Sequence, residues 1–263
     1  MTLTVATWNV NSIKMRTGHV QRFIAAQNPD VLMLQEIKCT TDKFPHDEFR
    51  DTHPHQLVIG QPAYNGVAIL SKIPFDTINT ALPGLANEEQ ARYIEITLQG
   101  DKPYRLINIY APNGNPVSAD SEKYPYKLRW LDALYRHAHD LLHSRIPFLI
   151  AGDFNIIPAR IDCLNENEWI GDALYREDTW ERWRKLLYLG LTDAFRALYP
   201  KKEKAFTFWD YQGGGWPRNN GIRIDHVLLS PLLTDRLQDC VIDKTPRGEE
   251  KPSDHTPVIV TLD

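Results

Sequence analysis

Polar residues able to do phosphate chemistry stand at the ends of short apolar runs. Leu3 to Trp8 leads into Asn9, and Val31 to Leu34 leads into Gln35-Glu36. Leu106 to Ile109 runs into Tyr110 and then Pro112-Asn113-Gly114, and Phe148 to Ile150 runs into Gly152-Asp153-Phe154-Asn155. Ile222 and Ile224 flank Arg223 just before Asp225-His226, and Ser253-Asp254-His255 precedes Val258 to Leu262. Singly, each has a bland reading: an acid at a strand end caps a turn, a buried Asn satisfies backbone groups, a lone His is structural. Together they make a chemical set. Hydrolysis of a phosphodiester needs an in-line water, a base beside it and positive charge on the non-bridging oxygens. Carboxylate and amide oxygens are hard ligands suited to Mg²⁺ or Mn²⁺. No Cys/His cluster competes for zinc, so the pattern implies hydrolysis at phosphorus with a hard divalent cation.

Two apparent motifs carry nothing. Ser253, Asp254 and His255 are sequence neighbours and cannot form a nucleophilic triad with one another. Gly213-Gly214-Gly215 lacks the Gly-Lys-Ser/Thr ending of a phosphate-binding loop.

The elements that must hold these residues are short strands with few helices between them. Leu3 to Trp8, Val31 to Leu34, Val67 to Leu70, Tyr93 to Leu98, Tyr104 to Tyr110, Phe148 to Ile150, Ile224 to Leu229 and Val258 to Leu262 read as strands bounded by Gly, Pro or Asn. Helices are expected over Arg16 to Gln27, stopped by Pro29, over Ser121 to His143, and over Asp178 to Leu189, stopped by Gly190. In the second, Leu128, Leu131, Tyr135, Ala138 and Leu142 form an apolar stripe. In the third, Trp180, Trp183 and Leu187 share a side, and the tryptophans read as packing rather than a platform for bases. A hairpin-sized link containing Gly100-Asp101 joins two adjacent strands. The expectation is mixed or antiparallel sheets packed face to face with helices outside, not a doubly wound parallel sheet.

With 263 residues, no long linker and no visible sequence repeat, residues 1–263 are expected to form one domain. The composition, 42% hydrophobic and 24% charged, is that of a soluble globular chain. No apolar run approaches the roughly 18 residues of a membrane span, and Met1 to Val10 has no signal-peptide character. Cys39, Cys163 and Cys240 are far apart, which suggests a reduced, cytoplasmic protein without a disulfide framework. The net charge of −4 says little about nucleic acid, because clustered metal-binding acids lower the total without weakening a basic rim elsewhere.

At these residues the chain resembles the exonuclease III family of AP endonucleases, within the wider endonuclease/exonuclease/phosphatase superfamily. The matching blocks run in order along essentially the whole chain. They are Trp8-Asn9-Val10-Asn11-Ser12, Leu34-Gln35-Glu36-Ile37-Lys38, Tyr64 to Ser71, Arg92-Tyr93-Ile94, Asn108 to Gly114, Gly152-Asp153-Phe154-Asn155, Thr207 to Tyr211, Gly221 to His226 and Ser253 to Val258. The resemblance implies an α/β four-layer sandwich, two mixed β-sheets with helices on the outer faces. It implies Mg²⁺, with Mn²⁺ able to substitute, and duplex DNA with abasic sites or 3′ ends as substrate for a monomeric enzyme.

By the family pattern Glu36 is the main metal ligand, with Asn9 and Asp254 nearby, and some family schemes add a second metal at Asp153, Asn155 and His255. Asp153 positions or deprotonates the attacking water. Asn155 bonds that water or the phosphate, and Asp225 orients His255, which donates to the phosphoryl oxygen or, in some family schemes, acts as the base. Tyr110 lies by the scissile phosphate. Asn113 and Arg92 assist at the phosphate and the DNA backbone. Phe208, Trp209, Ile222 and Ile224 match positions that line an apolar pocket for a base-free sugar, with ordinary core packing as the alternative. The first motif stands so near Met1 that the N-terminal redox region of some eukaryotic relatives is expected to be absent. Segment 161–177, with Trp169, Leu174 and Tyr175, corresponds to a variable loop near the DNA.

Competing readings are a secreted DNase I-like nuclease, a phosphoinositide phosphatase, an RNA deadenylase or an inactive relative serving as a binding protein. The missing signal peptide and paired cysteines weigh against the first. The Gln35 to Lys38 and Gly221 to Asp225 blocks favour the DNA-repair branch over the lipid branch. Retention of Glu36, Tyr110, Asp153, Asn155, Asp225, Asp254 and His255 weighs against the inactive relative.

Overall fold

The computed structural model describes residues 2–85, 89–100 and 103–263. Among the described residues, twelve strands form two six-stranded sheets. In chain order they are β1 (Leu3–Asn9), β2 (Val31–Gln35), β3 (His55–Ile59), β4 (Val67–Ser71), β5 (Phe75–Asn79), β6 (Tyr93–Leu98), β7 (Arg105–Tyr110), β8 (Phe148–Asp153), β9 (Thr192–Asp193), β10 (Asp225–Leu229), β11 (Leu237–Ile242) and β12 (Val258–Leu262). The helices are α1 (Ile13–Gln27), α2 (Asp47–Arg50), α3 (Lys123–His143), α4 (Glu177–Tyr188), α5 (Ala194–Leu198) and α6 (Pro231–Thr234).

The first sheet has the order β11-β12-β1-β2-β4-β3 and the second β5-β6-β7-β8-β10-β9. Each has one parallel pair, β1 with β2 and β7 with β8, flanked by antiparallel neighbours. The sheets are therefore mixed, as expected. Their parallel centres point one end of β1, β2, β7 and β8 the same way along each pair, and Asn9, Gln35, Tyr110 and Asp153 are the last residues of those strands.

Alternation along each strand builds the layers. Val5, Val31, Met33, Val67 and Ile69 face Ile94, Ile96, Leu106, Leu149, Ala151 and Val227 in the inter-sheet core. The opposite faces pack outward. Ala6, Trp8, Leu32 and Leu34 meet Val20 and Phe23 of α1, and Ile107, Ile109 and Ile150 meet Trp130 and Leu134 of α3 and Trp183 of α4. Helix, sheet, sheet, helix is the four-layer sandwich. A polar rivet crosses the apolar core: Asn108 Nδ2 donates to the carbonyls of Leu34 and Ala68 across the sheets, and Gln35 Nε2 donates to Asn108 Oδ1 at 2.7 Å.

The structure adds strands that periodicity did not reveal. β3, β5 and β11 are mostly half-buried or exposed, with one fully buried residue at most in each, so apolar alternation is weak. β5 and β3 are sheet edges, and β11 is another. The β6–β7 pairing expected of a hairpin is present, while Asp101 of its link lies outside the described residues. The stripe on α3 is rotated from its expected place. Leu131 and Ala138 are buried, but Leu128, Tyr135 and Leu142 only partly, and the buried face runs through Tyr124, Lys127, Trp130, Leu134 and Leu141. A lysine on that face was not anticipated, because charged residues mark the solvent side of an amphipathic helix. Trp183 packs in the core beneath α4, and Trp180 packs at its edge with Nε1 donating to the Ile157 carbonyl, so both are packing residues.

Candidate active site

Strand termini and the loops after them bring Asn9, Glu36, Tyr110, Asn113, Asp153, Asn155, Asp254 and His255 to one cleft of about 290 Å³. Asn9 ends β1 and Asp153 ends β8, so two residues far apart in sequence meet across the sheets. Asn9 Nδ2 donates to Asp153 Oδ2 at 3.0 Å, and the Asn11 backbone N–H donates to Asn9 Oδ1 at 3.1 Å. Gly152 permits the close pairing of β8 with β7 just before Asp153. Its φ is +144°, and a Cβ there would sit 1.9 Å from the Ile109 carbonyl oxygen.

Glu36 follows β2 with a left-handed backbone, φ 55°, and Lys38 repeats it at φ 52°. Ladder-like bonds hold the strained turn. The Ser12 N–H donates to the Glu36 carbonyl, and the N–H groups of Ile37 and Lys38 donate to the carbonyls of Gly66 and Asn65. The Lys38 ammonium lies 3.1 Å from Glu36 Oε1 and donates to Asn11 Oδ1 at 2.6 Å. Asn11 Nδ2 in turn donates to Asp254 Oδ1 at 3.0 Å. Asn11 and Lys38 thus link two candidate metal ligands. Both lay inside motif blocks, yet their side chains gave no chemical reason to choose them.

Asp225 begins β10 beside the end of β8, with Asp225 paired to Asp153 in register. His255 reaches it from the segment before β12: His255 Nδ1 is 2.8 Å from Asp225 Oδ2, and His255 Nε2 is 3.8 Å from Asp153 Oδ2. Burial opposes a charged imidazole, but the carboxylates of Asp225 and Asp153 outweigh it and raise the ring's pKa to about 10. Burial pushes the Asp153 carboxyl up from its ordinary value, with the Asp225 charge adding and the His255 charge opposing. Burial first, then the charges of Glu36 and Asp153, drive the Tyr110 hydroxyl well above its usual range, so it stays a proton donor. Arg92 stacks over the Tyr110 ring at 4.7 Å and donates to its carbonyl.

Asn155 also has a left-handed backbone, φ 51°, and its N–H donates to Asp153 Oδ1 at 2.9 Å. Its side-chain Nδ2 donates to the Ala111 carbonyl and its Oδ1 accepts from Asn113 Nδ2 at 3.1 Å. Beneath this pair sits Lys127 of α3, fully buried, whose pKa burial lowers to about 7 against the opposing charges of Asp172 and Asp153.

The apolar residues expected to line a sugar pocket divide. Phe208 and Ile224 line the cleft, together with Trp169 and Leu174 of the variable segment. The Phe208 ring stands 5.0 Å from the His255 ring. Ile222 shares the apolar cluster of Ile224, but it does not line the cleft and packs with Cys163 and Tyr175. Trp209 is a clearer correction. Its ring is 0% exposed, edge-on to Trp216 and Phe206 with Lys244 against its face. Residues 208 and 209 project to opposite sides of an extended segment, and the pairing of Phe208 with Ile222 and His255 turns only residue 208 toward the cleft.

Oxygen donors from Asn9, Glu36 and Asp254 converge on the cleft without a cysteine, which fits a hard divalent cation. Among the described residues, Asp153, Asp225 and His255 form a group whose ligand atoms lie within 4.8 Å of one another. His255 in that group is engaged with Asp225 through Nδ1, and the neighbouring carboxylates favour its protonated form. Also among the described residues, no helix is long and apolar enough to cross a membrane.

Comparisons with known proteins agree with this geometry. The model of the endonuclease/exonuclease/phosphatase family matches residues 6–255. Exodeoxyribonuclease III of Haemophilus influenzae is 32% identical over 260 residues, 95% of this chain and 96% of the relative. A Neisseria 3′ phosphatase solved with a product DNA hairpin is 37% identical with a TM-score of 0.93, each chain covered to 99%. An AP endonuclease from Archaeoglobus fulgidus is 35% identical with a TM-score of 0.92, again with 99% of each chain covered. A full-length match of sequence and fold, with the polar strand ends gathered at one cleft, places this chain in the endonuclease/exonuclease/phosphatase family, in its exonuclease III branch.

Proposed function

We propose that this chain is a Mg²⁺-dependent DNA phosphodiesterase that cleaves 5′ to abasic sites and removes nucleotides or blocking groups from 3′ ends of duplex DNA, acting as a monomer. The observation that carries the reading is the convergence of His255, backed by its partner Asp225, and the carboxylate of Asp153 on the cleft that also holds Glu36. All of these groups come from one chain, so the proposed chemistry needs no second copy.

Glu36, with Asn9 and Asp254, would hold the cation, for which Mn²⁺ would substitute. When bound, the ion supplies positive charge to the phosphoryl oxygens. His255, fixed in orientation by Asp225, donates a hydrogen bond to a non-bridging oxygen and stabilises the charge that builds there. Asp153 orients the attacking water and accepts its proton, a role suited to a carboxyl whose pKa burial has raised. Asn155 and Asn113 bind the water or phosphate, and Arg92 braces Tyr110, whose hydroxyl would stabilise the leaving oxygen. Phe208 and Ile224 offer an apolar wall to a sugar that carries no base; such a sugar swings out of the helix without breaking a stacked base.

The test is cleavage of a duplex carrying an abasic-site analogue, and of a recessed 3′ end, first with Mg²⁺ and then with EDTA. Metal-dependent hydrolysis 5′ to the analogue supports the reading. No hydrolysis of either duplex, with activity instead on an inositol phosphate or on poly(A), would transfer the chain to another branch of its family.

A further inference from the structure

Lys127 is a buried amine that the proposed chemistry does not use. It lies on the inward face of α3, where an amphipathic helix ordinarily places leucine or alanine, and it is 0% exposed. Taking an amino group out of water is costly unless its donors are met. Here Nζ donates to the main-chain carbonyl of Asn113 at 3.0 Å and to that of Asn155 at 2.5 Å.

Those carbonyls belong to two different loops. Asn113 follows β7 and Asn155 follows β8, and their side chains join above the lysine through the Asn113 Nδ2 to Asn155 Oδ1 bond. One amino group therefore ties the backbones of the two residues whose side chains form a pair at the cleft. The lysine stem is also closely packed. A Cβ on Gly114, whose φ is +92°, would lie 2.8 Å from Lys127 Cδ and 3.0 Å from Ala173 Cβ. Carbons of Lys127 thus set how near the Asn113 loop approaches α3, while its nitrogen sets how far the two loops stand apart. A compact donor on a flexible stem can serve two diverging carbonyls, which an apolar side chain cannot.

We propose that Lys127 is a positioning residue for the reaction: by holding the carbonyls of Asn113 and Asn155 it fixes the Asn113–Asn155 side-chain pair against the reacting phosphate. The inference rests on the reading that Asn155 acts at that phosphate. A misplacement of about 1 Å in such a group costs on the order of 100-fold in rate, so the lysine acts on turnover and not on DNA affinity.

The experiment measures kcat and KM with the full chain, Mg²⁺ and an abasic-analogue duplex. The variants are Lys127→Met, Asn155→Ala and the double substitution, with thermal unfolding followed in parallel. Lys127→Met is expected to lower kcat by roughly 10- to 100-fold with KM changed by no more than about twofold. In the Asn155→Ala background the same change should cost less than about threefold, because its target is gone. Should Lys127→Met fail to fold, Lys127→Gln, which keeps an amide donor on a shorter stem, is expected to fall between the wild type and Asn155→Ala. Wild-type kcat in the soluble Lys127 variant overturns the inference. So does an equal loss in both backgrounds, the mark of a merely structural role. If Asn155→Ala is crippled while Lys127→Met turns over normally, only the positioning role fails. If Asn155→Ala itself has wild-type turnover, the site reading fails and the inference with it.

Discussion

His255 Nδ1 lies 2.8 Å from Asp225 Oδ2, while Asp225 Oδ1 is buried without a hydrogen-bond partner among the described residues. A carboxylate left with one oxygen unmet in a buried site is costly as an isolated structural feature. It is accounted for if its charge is there to hold His255 protonated. Asp225→Asn keeps the shape and removes the charge. Turnover on an abasic duplex is expected to fall about 100-fold or more, with DNA affinity in a gel-shift or anisotropy titration nearly unchanged. Wild-type turnover in Asp225→Asn would show that the pairing does not serve the reaction.

Metal binding is expected to depend on Glu36 more than on His255. Glu36→Gln should weaken Mg²⁺ or Mn²⁺ binding, read by calorimetry, and lower kcat. His255→Gln should lower kcat with metal affinity largely retained, since its ring is engaged with Asp225. Loss of metal affinity in His255→Gln, with none in Glu36→Gln, would move the cation to the Asp153–Asp225–His255 group.

Phe208 and Trp209 are expected to separate under the same mutation. Phe208 faces the cleft and Trp209 is enclosed. Phe208→Ala should reduce abasic-site cleavage, or its preference over intact duplex, with little change in thermal stability. Trp209→Ala should destabilise the fold by roughly 3–5 kcal/mol with all activities falling together. Unchanged selectivity in a folded Phe208→Ala protein would refute its assignment to the sugar pocket.

Acid should destabilise the protein through two histidines buried as neutral rings. Burial lowers the pKa of His53 from 6.5 to about 4, against the pull of the Pro29 carbonyl. Burial, then the Arg223 charge, lowers His226 equally to about 4. His226 Nδ1 faces Arg223 Nη1 at 2.9 Å, so the neutral ring accepts there and donates from Nε2 to the Ile156 carbonyl. With folded pKa values below the unfolded ones, the unfolded chain binds more protons between about pH 6.5 and pH 4. Stability from these residues is fully present above that window and is lost as pH falls through it, on the order of 3 kcal/mol for each ring. Urea midpoints at pH 7.5, 5.5 and 4.5 measure the slope. His53→Gln, which cannot titrate but can donate to the Pro29 carbonyl, should flatten it; an unaltered slope would mean that His53 is not buried neutral.

What the sequence determined by itself was local. Apolar alternation marked the central strands, because a half-buried strand repeats every second residue, and the polar residue ending each run marked a position on a rigid edge. The types of those residues, oxygen donors and one histidine with no cysteine beside them, were enough to indicate phosphate chemistry with a hard cation. Tertiary structure decided the rest because the deciding contacts are long-range. Asn9 meets Asp153 across 144 positions and His255 meets Asp225 across 30, through sheet order and register that no local pattern encodes. The edge strands β3, β5 and β11 bury too little to show a period. Phe208 and Trp209, neighbours of like chemistry, go to cleft and core because one extended step turns a side chain to the opposite face. A lysine ordinarily marks the solvent side of an amphipathic helix. Only the fold, by laying two main-chain carbonyls over that helix, turned a charged residue into a buried one.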